Sequence, residues 1–150
     1  MECVVRPVAE SDRERWLSMR YQLWPDGSRA EHAEEIARYF AQDWPFERSE
    51  VLVAERSDGR LVGFAELSIR PYAEGCLPRV AYLEGWFVEA EARRSGVGAA
   101  LIGAAEDWGR QLGCREFASD AEPENRASIE AHLRLGFEDA GLVRCFKKIL

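Results

Sequence analysis

The chain has 150 residues, 47% of them hydrophobic, enough to build one compact domain around a real core and too few for a second independent one. Its net charge is −7, from 20 basic and 27 acidic residues. That balance argues against a nucleic-acid backbone as the partner, which would need a basic face, and suits a cationic small molecule. The four cysteines, Cys3, Cys76, Cys114 and Cys145, form no C-x-x-C pair and have no histidine at zinc spacing, so neither a metal site nor a disulfide framework is expected. The first residues carry no apolar leader, and no run approaches the ~20 apolar residues of a membrane span. The expectation is a cytoplasmic protein with reduced thiols and no membrane partner.

In chain order, Cys3–Arg6 reads as a short strand. Ser11-Asp12-Arg13-Glu14 has the form of a capping box opening a helix, which Pro25-Asp26-Gly27 stops. A second helix is predicted over Ala30–Ala41, with Ala33, Ile36, Ala37 and Phe40 as its apolar stripe. Val51–Glu55 and Leu61–Ile69 read as strands joined by the Ser57-Asp58-Gly59 turn. The next strand, Val80–Val88, contains Gly85, which marks a bulge or a close backbone approach. Gly96–Leu112 is the clearest helix, with Val97, Leu101, Ala105, Trp108 and Leu112 at helical spacing and Gly113 as its stop. Arg115–Asp120 reads as a strand, Asn125–Leu135 as a helix closed by Gly136, and Leu142–Ile149 as a final strand. The order β-α-α-β-β-β-α-β-α-β is that of a single mixed α/β domain, 1–150, with a meander followed by a βαβ crossover.

The sharpest local motif is Arg93-Arg94-Ser95-Gly96-Val97-Gly98, between a strand and an amphipathic helix. Glycines at a helix start let a ligand approach the backbone, and the free N–H groups there favour an anion. A nucleoside-triphosphate loop would need Gly-Lys-Ser/Thr, but the only lysines are Lys147 and Lys148. A dinucleotide fingerprint would need a small residue where Leu101 stands. What remains is either a plain glycine-rich turn between strand and helix or the Arg/Gln-x-x-Gly-x-Gly/Ala pattern of a coenzyme A pyrophosphate loop, matched by Arg93, Gly96 and Gly98.

With Glu84-Gly85-Trp86-Phe87-Val88 before it and Asn125 and Leu135-Gly136-Phe137 after it, this segment resembles the GNAT N-acetyltransferases. The resemblance implies acetyl-CoA as co-substrate, no metal, and a twisted mixed sheet with helices on both faces and a splayed central strand pair. Trp86, Phe87 and Val88 would border the pantetheine, with backbone bonds at Trp86 and Val88. Arg93, Arg94, Ser95, Gly96, Val97 and Gly98 would hold the pyrophosphate, and Asn125 would approach the pantetheine arm.

Leu23-Trp24-Pro25, Ser68-Ile69-Arg70, Gly75-Cys76, Leu83-Glu84-Gly85, Gly113-Cys114-Arg115-Glu116, Ala118-Ser119-Asp120 and Pro123-Glu124-Asn125 together look like the aminoglycoside 6′-N-acetyltransferases. These pieces extend into the N-terminal half, which on this resemblance would bind the substrate. The resemblance implies transfer of acetyl to a 6′-amine, antibiotic resistance, and a homodimer joined through C-terminal strands. Another amine as acceptor (a polyamine, a small amine or a protein amine), or a non-catalytic acetyl-CoA-binding module, are the competing readings.

An amine must lose a proton to attack a thioester, so a carboxylate nearby is the chemical requirement. Glu84 and Asp120, from neighbouring strand ends, are the candidate bases, and the sequence does not choose between them. Trp24 and Tyr72 are candidate substrate walls. Glu138, after Leu135-Gly136-Phe137, is a candidate charge contact. Trp16, Trp108 and His132 read as structural. Phe146 stands where related enzymes tend to show a tyrosine that protonates the leaving thiolate, and phenylalanine has no proton to give.

Overall fold

The sheet is organised by β3, a strand of ten residues that is buried along nearly all its length because helices cover both of its faces. The structure, a computed structural model, describes residues 2–150. It runs β1 (Cys3–Pro7), α1 (Arg13–Leu23), α2 (Arg29–Phe40), β2 (Ser49–Arg56), β3 (Leu61–Arg70), β4 (Val80–Val88), α3 (Val97–Gln111), β5 (Phe117–Ser119), α4 (Arg126–Arg134). The strands lie in the order β1-β2-β3-β4-β5. The first three pairs are antiparallel and β4–β5 is parallel. On one face α1 and α2 close over Trp16, Met19, Ile36 and Phe64. On the other, α3 lays Val97, Leu101, Ile102 and Ala105 against Leu67 and Leu83. Trp16 and Trp108 belong to these packed layers, as expected.

The predicted β-α-α-β-β-β-α-β-α order is present, with β4 at the predicted bounds. Four details differ, each for a physical reason. First, α1 starts at Arg13 after a 3-10 turn, Glu10–Asp12, and Ser11 does not cap it. The carboxylate of Asp12 serves the turn instead, accepting from the Ala9 N–H (2.7 Å) and from Arg6 (2.8 Å). Second, the buried side of α2 carries His32 and Ile36, while Ala33 and Ala37 face solvent. The larger side chains win the docking face, and His32 is drawn inward by polar partners. Ser28 and Glu31 form a true capping box at this helix (3.1 and 3.0 Å).

Third, β5 spans only Phe117–Ser119, so its pairing with β4 stops at Leu83 and Ser119. Beyond that point β4 has no neighbour on this side among the described residues, which is the expected splay. The splayed pair lies at the sheet's edge, however, and not at its centre. The fourth difference explains this: Leu142–Ile149 forms no strand. Residues 138–150 are all exposed, with Phe146 at 90% and Leu142 at 84%. An apolar, β-prone segment that leaves its own domain has no edge there to complete its backbone hydrogen bonds.

Gly63 on β3 shows how closely the layers meet. A Cβ at this position would lie 2.8 Å from the Phe87 carbonyl oxygen and 3.2 Å from Leu101 Cδ1. Gly63→Ala therefore lowers the unfolding free energy by about 1–3 kcal/mol through overpacking, as read by urea denaturation.

Candidate active site

The site begins with a one-residue irregularity. Across β3 and β4, Glu66 pairs with Gly85, but Leu67 pairs with Leu83, so Glu84 is an extra residue on β4. This is a β-bulge, as Gly85 suggested. Leu83 joins the α3-side core and Phe87 the α1-side core, so the strand's alternation resumes only after the bulge. Gly85 has no side chain because the Trp24 ring occupies that space: a Cβ would lie 2.8 Å from Trp24 Cζ2 and nearer still to Cη2. Trp24 is thus half-buried against the bulge and lines a cavity of about 420 Å³ together with Glu84.

The Glu84 carboxylate is heavily engaged. Arg70 Nε donates to Oε1 (2.8 Å), Arg70 Nη2 reaches both oxygens (2.5 and 2.6 Å), and Ser68 Oγ donates to Oε1 (3.2 Å). The Arg70 guanidinium also lies 3.7 Å above the Tyr82 ring. Tyr82 in turn donates its hydroxyl proton to Asp120 Oδ2. Burial and the Asp120 charge push the Tyr82 phenol above its ordinary range, keeping it a donor. Glu84 and Asp120 are therefore joined through Arg70 and Tyr82. Neither linker was singled out from the sequence. The signal was present: Glu66, Ser68 and Arg70 are polar residues at i, i+2, i+4 in an otherwise apolar strand, which puts them on one face.

Behind the bulge lies a buried ionic group. Arg20 (3% exposed) donates to Glu66 Oε1 and to Glu35 Oε2, and Glu66 (3%) also accepts from the Trp16 indole (3.1 Å). Burial pushes the Glu66 carboxyl up to about 7, outweighing the opposite pull of Arg20 and Trp16.

The other expected substrate contacts sit elsewhere. Tyr72 is 62% exposed and donates to Glu74 (2.8 Å), and Glu138 lies in the exposed segment 138–150. Neither lines the cavity with Trp24 and Glu84, whose far wall is instead Trp44, Pro45 and Phe46.

On the α3 side, the opening beside β4 has the features a nucleotide thioester requires. Glu89 N–H donates back to Val62 on the β3 side (2.8 Å). Strand alternation then turns the backbone groups of Trp86 and Val88 into the splay and those of Phe87 towards β3. Phe87 is 7% exposed and packed on Phe64, so it does not reach the opening. Arg93 Nε already binds the Val88 carbonyl (2.9 Å). The N-cap of α3 is Gly96 (φ 89°), without a side-chain cap, and Ser95 Oγ turns away to the Ala92 carbonyl (2.5 Å). The first N–H groups of α3 are left for an anion. Gly98 keeps the helix against Trp86, whose indole Nε1 is buried without a hydrogen-bond partner. Asn125 caps α4, accepting from Ser128 N–H (3.1 Å). His132 bonds Ser119 Oγ and the Ser128 carbonyl (both 2.7 Å) and packs edge-on to Trp86.

Known proteins share this fold. The family model described as "Acetyltransferase (GNAT) family" matches residues 14–137. The chain belongs to the GNAT acetyltransferases. Among GNAT relatives, an aminoglycoside N(6′)-acetyltransferase type 1 from Klebsiella aerogenes is 53% identical over 148 residues, covering 98% of this chain and 97% of that protein. The crystal structure of the aminoglycoside antibiotic 6′-N-acetyltransferase AAC(6′)-Ih from Acinetobacter baumannii superposes with a TM-score of 0.90 at 35% identity, covering 99% of each chain. AAC(6′)-Iy in complex with the bisubstrate analogue CoA-S-monomethyl-acetylneamine superposes at 0.87, with 36% identity over 100% of each chain.

The elevated Glu66 carboxyl makes a stability prediction. Between the ordinary value of 4.5 and about 7, the folded chain holds a proton at Glu66 that the unfolded chain has released. This group therefore makes stability fall as pH rises through that window. Glu66 faces Arg20, Glu35 and Trp16, with His32 and Glu84 also on the cavity wall. In Glu66→Gln that fall is absent, as shown by urea midpoints followed across the window.

Proposed function

We propose that this GNAT enzyme transfers acetyl from acetyl-CoA to the 6′-amine of an aminoglycoside, and that it thereby confers antibiotic resistance. The observation that carries the reading is likeness along the whole length: the Klebsiella relative is 53% identical over 98% of the chain, so the agreement includes the α1–α2 half that builds the cavity. The net charge of −7 and the carboxylates Glu84 and Asp120 suit a polycationic sugar and not a nucleic acid or a membrane. Dependence on acetyl-CoA fits action in the cytoplasm.

In this reading the two carboxylates divide the work. Glu84 takes four hydrogen-bond contacts from Arg70 and Ser68, three on Oε1 and one on Oε2, and the Arg70 guanidinium neutralises its charge. It anchors charge. Asp120 is exposed and accepts from Tyr82 on one oxygen, leaving lone pairs open for a proton from the substrate ammonium. Asp120 is the base, and Tyr82 orients it. Bound acetyl-CoA supplies the thioester that the deprotonated amine attacks. The backbone N–H groups of the splay and of the α3 start, with Arg93 and Arg94, hold that co-substrate, and Asn125 and Trp86 lie along its path. Trp24 forms one wall for the sugar, whereas Tyr72 and Glu138 do not line that cavity. Phe146 takes no part in proton transfer, and a thiol with an ordinary pKa near 8.5 leaves tolerably without an acid.

We also read the enzyme as a homodimer in which segment 138–150 of each copy docks on the other. Five large apolar side chains there, from Leu142 to Leu150, stand 66–111% exposed. Light scattering should give about twice the chain mass of 17.0 kDa. A species of the single-chain mass would remove this part of the reading.

Thiol release from acetyl-CoA tests the activity. Kanamycin A should be turned over, and an analogue with hydroxyl in place of the 6′-amine should not. Asp120→Asn should lower kcat by about 10²–10⁴-fold, the usual worth of a general base. Failure of every 6′-amine to react, with coenzyme A still bound, would discard the antibiotic as substrate.

A further inference from the structure

We infer that Arg20 is a positioning residue for the amine-binding edge, and that it acts by pressing Trp24 against the β4 bulge beside Glu84. The inference rests on the amine-transfer reading above.

Arg20 grips Trp24 in two ways. Its guanidinium, itself buried, lies 4.9 Å from the centre of the Trp24 ring. Its Nε donates to His32 Nδ1 (3.3 Å), which must therefore accept. That fixes His32 as the tautomer protonated on Nε2, and Nε2–H donates to the Trp24 carbonyl (2.9 Å). The Trp24 ring is thus contacted by Arg20 directly, and its carbonyl by His32, which Arg20 orients.

The far end of Trp24 is just as constrained. Its six-membered ring fills the notch left by Gly85, the residue that follows Glu84 in the bulge. Glu66, which holds the Arg20 guanidinium, is the register partner of Gly85. Arg20, Trp24, Gly85 and Glu66 therefore form a closed ring of contacts around the bulge, and Glu84 projects from it. Trp24 is also where α1 ends, with φ −126° and ψ 73°, so no helical hydrogen bonding beyond it fixes its direction. A buried ion group whose only task was to tie α1 to β3 would not need the contact with the indole or the relay through His32. Displacing Trp24 moves both a wall of the cavity and the strand segment that aims Glu84, and leaves the α3 side of the sheet alone.

The test uses the full-length enzyme with Arg20→Lys, Gly85→Ala and the double variant. Gly85→Ala leaves the side chains of Arg20 and Glu66 unchanged and displaces Trp24 from the bulge, so it remains informative if Arg20→Lys folds poorly. Each variant is assayed for the KM of kanamycin A and for coenzyme A affinity by calorimetry. The Trp24 indole resonance, assigned with Trp24→Phe, and amide exchange at Glu84 and Gly85 are followed by NMR. Each single variant should raise the amine KM about 10- to 100-fold, the range set by small misplacements of reacting groups. Coenzyme A affinity should stay at wild type, the Trp24 resonance should shift, and the double variant should be no worse than the poorer single one. Multiplying effects, a joint loss of amine and coenzyme A binding, or an unmoved amine KM would overturn the inference. If wild type acetylates no aminoglycoside, the substrate reading fails by itself. The NMR arm then decides: Arg20→Lys must shift Trp24 and speed exchange at Glu84 and Gly85, and unchanged signals would sink the positioning role.

Discussion

The extra residue on β4 is the constraint on which the rest of the site depends. Because Leu67 faces Leu83 while Glu66 faces Gly85, Glu84 leaves the regular ladder. That single offset has two results. It turns a carboxylate towards the α1–α2 layer, where Arg70 and Ser68 take hold of it. It also coincides with the end of the β4–β5 pairing, since the last paired residue on β4 is Leu83. The strand beyond is free on the β5 side, and the backbone of Trp86 and the N–H of Val88 turn into the opening there, the Val88 carbonyl being held by Arg93. One irregularity thus sets the Glu84 carboxylate on one side of the sheet and the opening beside Trp86 and Val88 on the other.

Charge is arranged around it in two tiers. Near the opening, Arg70 and Tyr82 connect Glu84 to Asp120 in contact with solvent. Deeper, Arg20 and Glu66 form a pair that is nearly fully buried. Such a pair gains little net stability over apolar packing, because both groups lose their hydration. The Arg20 guanidinium of this pair also lies 4.9 Å from the centre of the Trp24 ring.

Much of this was legible in the sequence. β4 was read at its true bounds, and Gly85 within it signalled the bulge, because only a glycine tolerates the indole against it. Arg93 to Gly98 lies at the uncapped start of α3, as the glycine spacing implied. Tertiary packing overrode local pattern elsewhere. Ala33 and Ala37 matched a helical stripe, yet His32 was buried instead because Arg20 and the Trp24 carbonyl offer it partners from distant positions. Leu142–Ile149 has the composition of a strand, but a strand exists only where an edge receives it, and composition does not supply the edge. Arg70 and Tyr82 were missed because their importance comes from each other across two strands, although the polar alternation in β3 pointed to that face.

The measurement that bears most directly on the central claim is a crystal structure of the ternary complex with coenzyme A and kanamycin A. The 6′-nitrogen should lie within about 3.2 Å, or one water, of Asp120, with Glu84 beside it and the pantetheine in the splay along Trp86 to Val88. A sugar bound with its 6′-nitrogen away from both carboxylates, or a pantetheine on the other face of β4, would contradict the role given to the bulge.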